Sequence, residues 1–351
     1  MTADEQMVVD EIQALRKQWG SRLKLLGHHY QDTAVTALCD AVGDSLELSR
    51  IAAASDAERI VFCGVRFMAE TADVLARSRD GKDNGRRVYL PAPEAGCPMA
   101  DMATAEALEN AWARLTAANP EATWAPIVYV NSSVDVKAFC GRHGGSACTS
   151  GNGTRVLKHF LDRGMKILFA PDQHLCTNIM RELGYPAEAV AVWNRELPDG
   201  GLSPETIRRA TLIAWSGCCP IHADYRTEDV TAARAALGNA RLLIHPEAPH
   251  AVTELCDTVG STKSIVGAVE AAKPGERFII GTERHLVDRL IANHRNLTIS
   301  HLRPITCEDM GRTTPALLLE VLKTWPERSL VRVEDDLVAD ARACVERMLA
   351  L

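Results

Sequence analysis

Two adjacent thiols and a histidine stand together at residues 215–222, W-S-G-C-C-P-I-H. Two further thiols share their setting, Cys97 in E-A-G-C-P-M-A and Cys307 in I-T-C-E-D-M. Each follows an apolar run that reads as a strand, so each is expected on a loop at a strand's end. None belongs to a local C-x-x-C pair of the kind that marks zinc sites, and neither ferredoxin spacing is present. These residues suggest three loops that each bring one thiolate to a common iron–sulfur cluster. Three cysteines for four irons would leave one iron open to substrate. The C-x-x-x-C-x-x-C run of a radical enzyme using S-adenosylmethionine is absent.

The elements that would position these thiols recur three times. Residues 3–18 carry Met7, Val8, Ile12 and Leu15 at helical spacing. A strand at 23–27 then ends in H-H-Y-Q, and G-D-S at 43–45 opens a helix. Strands at 59–63 and 87–90 follow, with Cys97 beyond the second. The order repeats with a strand at 126–130 ending in Y-V-N, T-S-G-N at 149–152, a strand at 166–170 and a strand at 212–215 before Cys218 and Cys219. It repeats again with a strand at 241–244 ending in H-P-E, G-S-T at 260–262, and strands at 277–280 and 297–301 before Cys307. The steps from His28 to Ser45, Asn131 to Ser150 and His245 to Thr262 are closely similar in length.

This alternation predicts an α/β fold: three pseudo-symmetric, Rossmann-like α/β/α domains with parallel sheets around a central cluster. The expected boundaries are 1–108 for the first repeat with its N-terminal helix, 109–222 for the second and 223–311 for the third. A helical extension at 312–351 would pack back on the body. Residues 107–122 read as a helix and linker between repeats.

At 351 residues, 46% apolar and 24% charged, the chain has the composition of a core-forming globular protein. A net charge of −7 with no basic run gives no footing for nucleic acid or an anionic membrane. No stretch approaches the roughly 18 uninterrupted apolar residues of a membrane span. The N-terminus M-T-A-D-E-Q lacks the basic-then-apolar order of a signal peptide, so a cytoplasmic location is expected. Eleven cysteines in such a setting point to metal binding or plain burial rather than disulfides. Cys39, Cys63, Cys140, Cys148, Cys176, Cys256 and Cys344 read as small buried hydrophobes.

Ligands of α/β sheets sit beyond the carboxyl ends of the strands. That rim would carry His28, Tyr30, Tyr129, Asn131, His245 and Glu247, with Ser45, Ser150 and Thr262 at three helix starts. Hydroxyls there are ordinarily caps. Three helix N-termini facing one cavity would also suit a polyanionic small molecule.

The motifs H-H-Y-Q, V-G-D-S-L-E-L-S, V-F-C-G-V-R-F-M-A-E-T, A-G-C-P-M-A-D, Y-V-N-S, C-T-S-G-N, F-A-P-D-Q-H-L, W-S-G-C-C-P-I-H, H-P-E, V-G-S-T and I-I-G-T-E run in order from about residue 20 to 310. Together they resemble the quinolinate synthase family. The resemblance implies a [4Fe–4S] cluster with one open iron, held by Cys97, Cys219 and Cys307. Cys219 is preferred to Cys218 because Gly217, Cys219 and His222 satisfy the family pattern G-x-C-x-x-H. It implies substrate contacts at His28, Ser45, Tyr129, Asn131, Ser150, His245, Glu247 and Thr262, and proton transfer by Tyr30, His222 and Glu247. The implied reaction is a transferase-type condensation of iminoaspartate with dihydroxyacetone phosphate to quinolinate in de novo NAD synthesis. L-Aspartate oxidase would supply the iminoaspartate.

Departures from the family pattern are Arg66 for histidine, Cys176 for glycine, Ala248 for cysteine and Ser216 for proline. The loop at 141–147 is long and glycine-rich, and C-E-D-M-G-R-T-T surrounds the third thiol in place of C-P-x-M-x-M-N-T. The rival readings are an iron–sulfur hydro-lyase acting on a hydroxy-acid and a cluster-bearing sensor. No basic DNA-binding helix supports the sensor.

Overall fold

The structure is a computed structural model that describes residues 2–78 and 84–351. The chain divides into two compact units. The first comprises Met1–Cys97, Glu283–Arg289 and Ile305–Ala339; the second comprises Pro98–Thr282, Leu290–Pro304 and Asp340–Leu351.

The first unit is built on strands β1 (Leu23–His28), β2 (Ala41–Gly43), β3 (Arg59–Cys63) and β4 (Arg87–Tyr89), all parallel, in the order β4-β3-β1-β2. The short strand Leu330–Val331 adds antiparallel to β4. β1 (L-K-L-L-G-H) is buried along almost its whole length, as a parallel strand covered on both faces must be. Helix Ala3–Trp19 opens with a capping box between Thr2 and Glu5 and sends Ile12 into the core with Leu25, Val61, Tyr89, Leu318 and Leu322.

The second unit holds two sheets. One is formed by β5 (Trp124–Tyr129), β6 (Ser146–Cys148), β7 (Lys166–Ala170), β8 (Val190–Trp193) and β9 (Leu212–Trp215), in the order β6-β5-β7-β9-β8. The other is formed by β10 (Arg241–Ile244), β11 (Thr258–Val259), β12 (Arg277–Gly281) and β13 (Thr298–His301), in the order β11-β10-β12-β13. Every strand pair in both is parallel.

All three sheets therefore place their second strand beside the first on one side and the third and fourth on the other. That order puts a topological switch point beside β1, β5 and β10, where ligands of such sheets bind. The α/β reading with repeated parallel sheets holds. Among the elements not foreseen, β8 is inserted before β9 and lies on the sheet edge, which lengthens the path from Ser150 to Cys219. Among the described residues no helix is long and apolar enough to cross a membrane.

Candidate active site

Within the second unit, β10 delivers His245 and Glu247, and the loop after β9 delivers Cys219 and His222. Pro220 starts the short helix Pro220–Ala223, which turns His222 inward until it is 1% exposed. The His222 and His245 rings stack at 4.3 Å between centroids and 23° between planes. One oxygen, Glu247 Oε2, contacts both, at 2.5 Å from His222 Nδ1 and 3.3 Å from His245 Nδ1. The far nitrogens are engaged too: His222 Nε2 with Thr282 Oγ1 at 3.1 Å and His245 Nε2 with Ser150 Oγ at 3.2 Å. An ionised carboxylate only accepts, so contact with Glu247 favours the imidazole protons at Nδ1, with the two hydroxyls then donating to Nε2.

Burial opposes a charge on Glu247, but the two imidazoles outweigh it and hold the carboxyl well below its usual range. Burial, and secondarily the Glu247 charge, pushes Asp172 up. His245 is lowered by burial first and by His222 next, with Glu247 partly offsetting both. The unit thus holds one ionised carboxylate and one raised carboxyl, the pairing that separates base from acid. Glu247 is 2% exposed, and its Oε1 has no hydrogen-bond partner among the described residues. A buried acceptor left open in this way suits a ligand that donates to it.

The other predicted residues of this unit occupy the same strand-end loops. Tyr129 ends β5 with its ring buried, and Asn131 follows with Oδ1 buried and unpartnered among the described residues. Ser150 lies in the turn before helix Gly153–Leu161, not in its first turn. Thr262 is the first residue of helix Thr262–Glu270, and Ser261, not Thr262, caps it.

In the first unit the same shift occurs. Asp44 caps helix Ser45–Ala54 in a capping box with Glu47, so Ser45 is not the cap. The Tyr30 ring stands edge-on to His28 at 4.7 Å, and the Tyr30 amide donates to His28 Nδ1 at 3.1 Å. Gln31 was not predicted. It is fully buried, its Nε2 donates to Met310 O at 2.7 Å, and its Oε1 has no partner among the described residues.

The thiols sort by their surroundings. Cys63, Cys140, Cys148, Cys176 and Cys344 are buried. Of the partly exposed ones, Cys39 and Cys256 donate to the carbonyls of Val35 and Val252, one helical turn back. Cys97, Cys218, Cys219 and Cys307 remain, each on a loop after the fourth strand of its sheet order. Burial pushes the Cys307 thiol up to about 11, so the thiolate form needs a cation to compensate it. Ligand atoms of Cys219, His222 and Glu247 lie within 4.8 Å of one another. Soft sulfur donors on loops, kept apart from the buried thiols, fit an iron–sulfur group.

Sequence reasoning assigned no role to Asp172, Asn178, Thr282, Glu283 or Asp309. Asp172 and Glu283 stand in the quoted motifs F-A-P-D-Q-H-L and I-I-G-T-E, which was the available signal.

Parallel sheets whose second strand lies on one side of the first and the rest on the other, with a buried His–Glu–His group at the strand ends, define an α/β protein built for a small polar ligand. The model of the family described as quinolinate synthetase A protein matches residues 10–350. The chain is 40% identical to the quinolinate synthase of Streptomyces coelicolor, over 98% of this chain and 88% of that one. It is 39% identical to that of Rhodopirellula baltica, over 99% and 92%, and 39% identical to that of Halobacterium salinarum, over 97% and 91%. The chain belongs to the quinolinate synthetase A family.

Proposed function

We propose that the chain condenses iminoaspartate with dihydroxyacetone phosphate to quinolinate, releasing phosphate and water, as a cytoplasmic transferase of de novo NAD synthesis. Cys97, Cys219 and Cys307 hold a [4Fe–4S] cluster, and L-aspartate oxidase is the source of the iminoaspartate. When bound, the cluster supplies a Lewis-acidic iron for a substrate oxygen. The observation that carries the reading is the His222–Glu247–His245 group with Cys219 beside it.

The residues of the chain divide the remaining work. Ser45, Ser150 and Thr262 lie at or just before helix starts, whose positive dipole ends favour phosphate and carboxylate. Asn131 Oδ1 and Glu247 Oε1, without hydrogen-bond partners among the described residues, are acceptors for substrate N–H or O–H groups. Tyr129 and His28 are buried at strand ends, each in its own unit, and would contribute apolar wall to a bound substrate. Ring formation needs several proton transfers: Glu247 holds the position of base, His222 passes protons to and from it, and Tyr30 serves the His28 side.

Anaerobic purification with iron and sulfide counting, followed by a quinolinate assay on iminoaspartate and dihydroxyacetone phosphate, tests this. Near-stoichiometric cluster and quinolinate formation is the expected result. A cluster without quinolinate favours a hydro-lyase acting on a hydroxy-acid, and a chain that takes up no iron overturns the reading.

A further inference from the structure

A buried carboxylate stands behind the loops of Cys219 and Cys307. In the second unit Asp172 Oδ2 accepts the amide N–H of Cys219 at 3.2 Å, while Oδ1 accepts that of Leu175 at 2.8 Å. In the first unit Glu283 Oε1 accepts the amide N–H of Cys307 at 3.4 Å, while Oε2 accepts that of His285 at 2.7 Å. Both side chains are fully buried.

The two arrangements correspond position by position. Asp172 follows β7 and Glu283 follows β12, at the same step beyond the third strand of each sheet order. Each makes an isolated parallel bridge to the loop after the fourth strand, Asp172 with Gly217 and Glu283 with Ile305. Gly217 and Ile305 stand at the same offset before their cysteines. One carboxylate oxygen is enough to cap the following helix. A fully buried second oxygen must find a donor or destabilise the fold: for Asp172 that donor is the Cys219 amide, and for Glu283 it is His285 Nδ1 at 2.9 Å with the Cys307 amide beside it.

We infer that Asp172 and Glu283 are positioning residues that fix the main chain of Cys219 and Cys307 for binding an iron–sulfur cluster. The inference rests on the proposed function. Loop backbone is otherwise mobile, whereas a metal ligand must be held within about 0.5 Å of its bonding position. Asp309 does the corresponding work for Cys97 at one remove: its Oδ1 accepts the amide N–H of Gly96 at 3.1 Å.

The test uses the full chain, reconstituted anaerobically, with iron and sulfide per chain, the rate of iron loss to a chelator and the cluster's midpoint potential as readouts. Asp172→Ala and Glu283→Ala are each expected to speed iron loss by about 10- to 100-fold with unchanged far-UV circular dichroism. Each should also shift the midpoint potential, which a residue that merely capped a helix would leave in place. Asp172→Asn and Glu283→Gln keep one acceptor oxygen for two N–H groups and should retain iron to an intermediate degree, between the alanine variants and the unsubstituted chain. Unchanged iron loss and potential in both alanine variants overturn the inference. If one alanine variant fails to fold, the other, in the other unit, decides; if both fail, Asp172→Ser and Glu283→Ser, which keep a capping oxygen and lose the second acceptor, decide in the same sense. An unsubstituted chain that takes up no iron shows instead that the proposed function is wrong, before any variant is compared.

Discussion

Glu247 and His222 form a buried contact in which one carboxylate oxygen lies 2.5 Å from Nδ1, with both side chains almost wholly removed from solvent. His245 contacts the same oxygen, so the other, Oε1, is left for something outside the group. Glu247→Gln keeps the volume and removes the base. The expected result is a fall in kcat of about 10²- to 10⁴-fold with a much smaller change in KM and unchanged iron content. Steady-state kinetics beside iron analysis checks it, and a Glu247→Gln chain that turns over normally would remove Glu247 from the chemistry.

The same group sets a pH dependence. His245 is held below the ordinary histidine value, so the unfolded chain takes up a proton there at higher pH than the folded chain does. Its contribution to stability is therefore complete above about pH 6.5 and is lost as pH falls from there through the depressed value of the folded state. Glu247 is also depressed, so its contribution persists further down and is lost only below about pH 4.3. Urea midpoints of the metal-free chain between pH 7.5 and 5 should fall, and His245→Asn should flatten that slope. The residual slope holds His174 and His159, which burial also lowers, set against Asp172, Asp73 and His285, which are raised and act with the opposite sign. An unaltered slope in His245→Asn would assign the whole effect elsewhere.

Strands buried on both faces, such as β1, β3, β5, β7 and β12, announce themselves as apolar runs, and their recurrence made the repeated sheets legible in the sequence. The strands β2, β6 and β11, with two or three residues each, leave no run to read. β8 was missed for another reason: it lies on an edge with its first three residues partly or fully exposed, so nothing in its burial sets it apart from a loop. Among polar residues, His222, His245, Glu247 and Ser150 were readable as strand-end residues, and the structure brings these four together. Asp172 and Glu283 were not readable, because a carboxylate before a helix looks like an ordinary cap. Their second bonds reach Cys219 and Cys307 on distant segments, which local spacing does not encode. Asp44 and Ser261 show the converse case, taking over the capping that Ser45 and Thr262 would have supplied.

The adjacent thiols Cys218 and Cys219 are told apart by their surroundings. The Cys219 amide is held by Asp172 and its thiol lies near His222 and Glu247, whereas the Cys218 amide donates to Met102 Sδ at 3.4 Å. Cys219→Ser, Cys97→Ser and Cys307→Ser are each expected to lose the cluster on anaerobic reconstitution, and Cys218→Ser to retain it. Visible absorption with iron and sulfide analysis reads the outcome. Retention in Cys219→Ser with loss in Cys218→Ser would exchange the two assignments.

Asn178 holds the segment that carries His245 and Glu247. Its Nδ2 donates to Pro246 O at 2.8 Å and Ala248 O at 2.9 Å, and its Oδ1 accepts from Thr253 Oγ1 at 3.1 Å and meets His250 Nδ1 at 2.9 Å. Asn178→Ala strands two buried carbonyls, and at about 1–3 kcal/mol for each unsatisfied group the variant should unfold at clearly lower urea. Asn178→Asp should be no better, because a carboxylate cannot donate to either carbonyl and repels both. A segment released by about 1 Å costs on the order of 100-fold in rate, so kcat should fall in both variants while the cluster content holds, Asn178 being remote in sequence from all three proposed thiol ligands. Stability lost without loss of kcat would show that Glu247 and His245 are oriented by each other and by Ser150, and that Asn178 serves only the fold.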